Sequence, residues 1–157
     1  MCSIVILKKS ENEWPLIIAA NRDEMNNRKC LPPDRHWKDK PHIFAGKDLL
    51  AGGSWLGVND NGVVAAIMNR KNSLGFIKNK KSRGELVLNA LDHEDVVKSL
   101  NAIAKIQKDN YRGFNMFIGD NSNSYWIKSD ETSLDIECIN ISDGLSMITS
   151  HDRNDLN

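Results

Sequence analysis

Strands, then a pair of helices, then strands again: this order predicts an α+β protein built on layered sheets. Three features carry the prediction. The first stretch of the chain holds short, almost continuously apolar runs at 3–8 and 15–20. Residues 82–104 switch to helical spacing, and the remainder returns to short apolar runs parted by turns rich in Asp, Asn and Ser. A doubly wound parallel sheet would instead alternate strand and helix along its length.

The first run, Ser-Ile-Val-Ile-Leu-Lys, and the second, Pro-Leu-Ile-Ile-Ala-Ala, are joined by the polar Ser10-Glu11-Asn12-Glu13, which predicts a hairpin. Both are too continuously apolar for a half-exposed meander and read as strands covered on both faces. Residues 24–42 contain Pro32-Pro33 and Pro41, many charges and little periodicity, and read as a long loop. Further on, Asn61-Gly62 between the apolar runs 55–58 and 63–68 is a strong short-range hairpin signal. Ser82-Arg83-Gly84-Glu85 has capping-box spacing, with Leu86, Val87, Ala90 and Leu91 on one helical face behind it. A second helix is expected from Asp92 as cap, through Val96, Val97, Leu100, Ile103 and Ala104. Strands are expected at 114–119, 125–128 and 134–141, with another at 146–150. There is no repeat, low-complexity segment or linker, so residues 1–157 read as one domain.

Lys+Arg and Asp+Glu both total 21, so no broad positive field exists to hold nucleic acid. The basic stretch Lys78, Lys80, Lys81 and Arg83 lacks interleaved aromatics and reads as a solvated loop. No apolar run approaches the ~18–20 residues of a membrane span, and Ile4–Leu7 is too short for a secretory core. Three widely spaced cysteines, Cys2, Cys30 and Cys138, with no CxxC, argue against a disulfide framework or a zinc site. A cytoplasmic location is the expectation, with no cofactor and no metal. Cys138 alternates with Leu134 and Ile136 and is expected in the core; Cys30 falls in the long loop. The four histidines have no metal-ligand spacing and read as exposed polar residues.

Cys2 carries the chemistry. Removal of Met1 would leave a residue with a thiol and a free α-amine on one framework. Their reference pKa values, about 8.5 and about 7.7–8.0, lie close enough for the amine to take the thiol's proton near neutrality. Nucleophile and base then arrive together, the logic of N-terminal nucleophile enzymes. The competing reading is a small buried hydrophobe that begins a strand. Asn21-Arg22-Asp23-Glu24 bears on the choice, because a hairpin would bring the end of the second strand close to Cys2. There a guanidinium would favour thiolate and a carboxylate would orient the α-ammonium. A plain surface salt-bridge cluster would look the same.

Met-Cys at the start, Asn21-Arg22-Asp23-Glu24, the segment Gly52-Gly53-Ser54-Trp55-Leu56-Gly57-Val58-Asn59 with Gly62, Asn69-Arg70, Ser82-Arg83-Gly84 and Phe114-Asn115 through Gly119-Asp120 occur in order. Together they resemble the NRDE family, also called the transport and Golgi organisation protein 2 family, over nearly the whole chain. The resemblance implies the fold of N-terminal nucleophile hydrolases, a four-layer αββα sandwich. It also implies a longer protein, so that C-terminal elements are expected to be missing from this chain. More distantly, Cys2 and Asp23 resemble the nucleophile and orienting aspartate of the choloylglycine hydrolases, which cleave non-peptide amides. Arg22 would then be the cation beside the thiol, although its spacing from Asp23 departs from that group's pattern. Asn69 and Asn115 resemble that group's strand-borne asparagines, which can donate to an oxyanion.

The glycine-rich segment around Trp55 has no GK[ST] and is not a phosphate loop. Either its glycines permit close backbone approach and Trp55 lines a substrate pocket, or it is a tight turn with a core tryptophan. The functional expectation is an N-terminal cysteine hydrolase acting on a small non-peptide amide or related acyl bond. The alternative is a non-catalytic binding or trafficking protein for haem or an acyl-bearing metabolite. No nucleic-acid partner and no membrane span are expected.

Overall fold

The structure, a computed structural model, describes residues 2–75 and 77–155. Ten strands and two helices follow the predicted order. They are β1 (Ser3–Lys8), β2 (Leu16–Asn21), β3 (Cys30–Asp34), β4 (Ile43–Asp48), β5 (Leu56–Asn59), β6 (Val64–Asn69), α1 (Gly84–Leu91), α2 (Val96–Ala104), β7 (Phe114–Gly119), β8 (Ser124–Ser129), β9 (Glu137–Asn140) and β10 (Gly144–Ile148). A 3-10 turn at Lys108–Asn110 precedes β7.

Two antiparallel sheets form. The smaller has the order β10-β1-β2 and the larger β3-β4-β5-β6-β7-β8-β9. Alternation along each strand divides the apolar residues between two cores. Ile4, Ile6 and Ile148 of the small sheet meet Ala66, Met68, Phe117 and Trp126 of the large one. The opposite face of the large sheet presents Ala45, Ala65, Ile67, Phe114, Met116 and Ile118 to Leu86, Leu91, Val96 and Ile103 of the helices. Helix, sheet and sheet are therefore stacked in the α+β manner expected. The outer face of the small sheet exposes Val5, Ile17 and Leu145 and carries no helix among the described residues.

Close approach between helix and sheet rests on Gly53 and Gly84. A Cβ on Gly53 would lie 2.4 Å from the carbonyl carbon of Gly84, and Ser54 N–H donates to the Gly84 carbonyl at 3.1 Å. Neither backbone can yield, so these glycines set the height of α1 above the sheet.

Several expectations are corrected. Residues 24–42 are not all loop: Cys30–Asp34 pair with β4 as an edge strand, in which the prolines fall where the ladder shifts register between Leu31 and Asp34. Ser82 does not cap α1; the N-cap position is Arg83 without a side-chain bond, and Ser82 Oγ accepts from Gly84 N–H at 3.3 Å. Glu85 is drawn away to the Tyr111 hydroxyl. The cap of α2 is Asp95, which accepts from Lys98 N–H, so the helix begins three residues later than expected and leaves Val97 in water. Residue Leu134 is 94% exposed and lies before β9. Cys138 is exposed on the edge strand β9 and does not enter the core. All four histidines are half-buried.

Candidate functional site

The amino-terminal end of β1 and the carboxyl end of β2 meet in the small sheet, as the hairpin requires. Their ladder pairs Ser3 with Asn21; continued by one residue, it sets Cys2 beside Arg22, both on the face of Ile4 that looks toward the large sheet. Asp23 closes on the sulfur through its backbone. Its N–H donates to Cys2 Sγ at 3.3 Å, and the thiol donates to the Asp23 carbonyl at 3.5 Å. Cys2 is half-buried, while the Asp23 residue is exposed. Hydrogen bonding to the amino-terminal group, and then its positive charge, hold the Asp23 carboxyl below the usual carboxylate range.

Arg22 is brought to the same place, but its guanidinium is occupied elsewhere. It stacks over Trp55 at 4.3 Å from the ring centroid, approaches Glu24 at 3.5 Å and lies 3.9 Å from Cys30 Sγ. Trp55 in turn lies over Gly46, where a Cβ would come within 2.5 Å of the indole. Arg28 ties this turn to the large sheet through Asp48 at 2.5 Å and Glu24 at 3.7 Å. Although burial opposes it, the Arg28 hydrogen bond and charge hold the Asp48 carboxyl below its ordinary range.

From Trp55 an open groove of about 410 Å³ runs between β2 and the large sheet. Leu16 and Ile18 form one wall, Phe44, Gly46 and Val64 the other. Its size falls within the roughly 300–1,000 Å³ of small-molecule sites, and its lining is mostly apolar in the same way. Trp55 is half-buried and lies in the lining of this groove.

The two asparagines lie on opposite faces of the large sheet. Asn115 is fully buried and points between the sheets with both amide hydrogens engaged, on the carbonyls of Thr149 at 2.8 Å and His151 at 2.7 Å. Its oxygen accepts from Arg70 at 2.8 Å and from the Trp126 indole at 3.1 Å. It thereby fastens the segment after β10 alongside the start of β1. Asn69 pairs with Phe114, and alternation places it on the helix-facing side of the sheet. Its neighbour Arg70 takes the inter-sheet position and also binds Asp152 at 2.7 Å and Asp130.

Cys30, Arg28 and Asp48 also belong to this end of the molecule and had no role assigned from the sequence, whereas Glu24 and Arg70 fall inside its motifs. The only available signal for Cys30 and Arg28 was their proximity to Asn21-Arg22-Asp23-Glu24, because the strand that bears Cys30 looked like loop. Among the described residues no group of His, Cys, Asp and Glu could hold a metal ion, and no helix is long and apolar enough to cross a membrane.

The fold is shared with solved hydrolases. The Caenorhabditis elegans N-acylethanolamine-hydrolyzing acid amidase ortholog superposes with a TM-score of 0.67 at 12% identity, over 97% of this chain and 70% of that one. A Cys-to-Ala mutant of the conjugated bile acid hydrolase from Clostridium perfringens gives 0.60 at 12% identity, over 93% and 53%. At such identity the likeness concerns the fold, that of N-terminal nucleophile hydrolases. In sequence, the chain is 34% identical over 116 residues to the bovine transport and Golgi organization protein 2 homolog. The human homolog is 35% identical over 117 residues. Each match covers 71% of this chain and 41% of the relative, so the chain spans less than half the length of these proteins. The profile described as Transport and Golgi organisation 2 matches residues 1–152. On that match and those identities, the chain belongs to the transport and Golgi organisation 2 family.

Proposed function

We propose that this protein is an N-terminal cysteine hydrolase that cleaves a small non-peptide amide or related acyl bond. The observation that carries the reading is the Cys2 sulfur held by the Asp23 backbone, next to the Arg22–Trp55 stack at the head of an apolar groove. In this reading Met1 is removed and the freed Cys2 amine takes the thiol proton. The sulfur attacks the carbonyl, the amine returns the proton to the leaving group, and water resolves the thioester. The Asp23 carboxylate, next to the Cys2 sulfur through its own backbone, orients that amine. Trp55, with Arg22 stacked on its ring, forms the wall against which the acyl group lies. Asn115 acts as a positioning residue for the 149–151 segment, since its donors are engaged. One neighbour in fold is an acid amidase by name and the other a conjugated bile acid hydrolase, which supports the reaction class.

Intact mass of the protein from its own host should show loss of Met1. Turnover on a panel of acyl amides should then trap an acyl adduct on Cys2. Cys2→Ser should fold and form no adduct, and Asp23→Asn should bind substrate but turn over more slowly. Retention of Met1 on most molecules would remove the proton shuttle and with it the mechanism. The same open groove suits a carrier of haem or an acyl-bearing metabolite. A carrier predicts no hydrolysis across the panel, and equilibrium binding that survives Asp23→Asn.

A further inference from the structure

Arg22 was expected to serve Cys2, yet the sulfur that its guanidinium touches is that of Cys30. Cys30 is exposed and Cys2 half-buried, so solutes reach both. A positive charge against an accessible sulfur is the setting in which cysteines react. The two thiols are also on one side. Cys2 sits beside Arg22 on the inner face of the small sheet, and the Arg22 side chain leads from there to Cys30. The turn that bears Asp23 is fastened to the strand that bears Cys30 through Glu24, Arg28 and Asp48, the residue paired with Cys30 across the ladder. That strand is the sheet's edge, is exposed along its whole length and has an irregular register. As an edge strand it has a ladder on one side only to hold it against a movement toward Cys2.

We propose that Cys30 is the resolving thiol of this site, and that a hydroperoxide converts Cys2 and Cys30 into an intramolecular disulfide. The Cys2 thiolate attacks the peroxide, the O–O bond breaks, and Cys2 becomes a sulfenic acid with release of water or an alcohol. Cys30 then attacks the Cys2 sulfur. The S–O bond breaks, hydroxide leaves and takes up a proton as water, and the S–S bond forms. Two thiols have supplied the two electrons that reduce one peroxide. Because a disulfide needs Cα atoms within about 7 Å, Arg22 must leave the Cys30 sulfur and Trp55 for the two cysteines to meet. The oxidised form therefore hides the Cys2 sulfur and rearranges the head of the groove, and a dithiol restores both. The inference holds whether or not Cys2 attacks a carbonyl, because it concerns only the two sulfurs.

Cys138 serves as an internal control. It lies on β9, at the opposite edge of the seven-stranded sheet, six inter-strand spacings or about 29 Å away from β3. Protein treated with hydrogen peroxide, then mapped by non-reducing peptide mass spectrometry, should yield a Cys2–Cys30 peptide pair in the monomer. Dithiothreitol should restore alkylation of both. In Cys30→Ser the pair cannot form, and Cys2 should pass to the sulfinic acid, with loss of recovery; in Cys138→Ser nothing should change. Circular dichroism of each variant checks that this exposed position leaves the fold intact. Irreversible oxidation of Cys2 at equal rates in wild type and Cys30→Ser would overturn the proposal. So would a dominant intermolecular or Cys138-containing disulfide.

Discussion

Asn115→Leu separates the two roles open to Asn115. The native amide makes four hydrogen bonds inside the protein, to the Thr149 and His151 carbonyls and from Arg70 and the Trp126 indole. Leucine fills a comparable volume and makes none. Arg70 keeps Asp130 and Asp152 and loses least. The indole N–H and two carbonyls are left without partners, and a buried orphan of this kind costs about 1–3 kcal/mol. Allowing for apolar burial regained by the leucine, a net loss of about 3 kcal/mol is expected. With a urea dependence of about 1–3 kcal/mol/M, the unfolding midpoint should fall by roughly 1–3 M. The Thr149–His151 segment, released from its clamp, should show faster amide hydrogen exchange. An unchanged midpoint and unchanged exchange, with turnover lost, would refute this reasoning and return Asn115 to the oxyanion.

Three further outcomes are expected. Gly46→Ala pushes the indole of Trp55 away from the position where Arg22 stacks on it, so stability should fall by about 1–3 kcal/mol with altered tryptophan fluorescence. The Arg112 hydrogen bond holds the Glu131 carboxyl below its reference 4.5. That contribution is present above the unfolded value and is lost as pH falls through the lower folded one, so Glu131→Gln should flatten the acid limb of a stability–pH curve. Arg22→Met removes the cation that touches Cys30 but leaves the Asp23 N–H on Cys2, so native alkylation of Cys30 should slow more than that of Cys2.

Periodicity carried most of the fold. Both sheets' central strands, the Asn61-Gly62 hairpin and the helical pair follow from apolar spacing. The failures have physical causes. β3 hides behind tandem prolines, because an edge strand can give up ladder bonds that a central strand cannot. The false cap at Ser82 arose because a capping box needs Glu85 to fold back, and Tyr111, 26 residues away, claims that carboxylate. At the candidate site, the placing of Cys2 beside Arg22 and Asp23 was legible from local sequence plus one hairpin. The surroundings of the asparagines were not legible, for a different reason. Strand alternation decides that Arg70 and not Asn69 looks between the sheets, and the partners that occupy Asn115 lie 34 and 36 residues further along.

The order in which the small sheet is assembled bears on how its first residues are processed. β1 lies between β2 and β10, and Ile4 is paired with Ile148. On a ribosome adding ~5–20 residues per second, β1 waits on the order of ten seconds or more for its second neighbour to emerge. Throughout that interval the amino terminus belongs to a lone hairpin, which is marginal in water. An aminopeptidase that removes Met1 therefore meets a loose, accessible chain end, and the finished sheet closes around whatever residue it leaves. Processing is timed by topology: the trimming window opens with the first residues made and shuts once β10 has emerged.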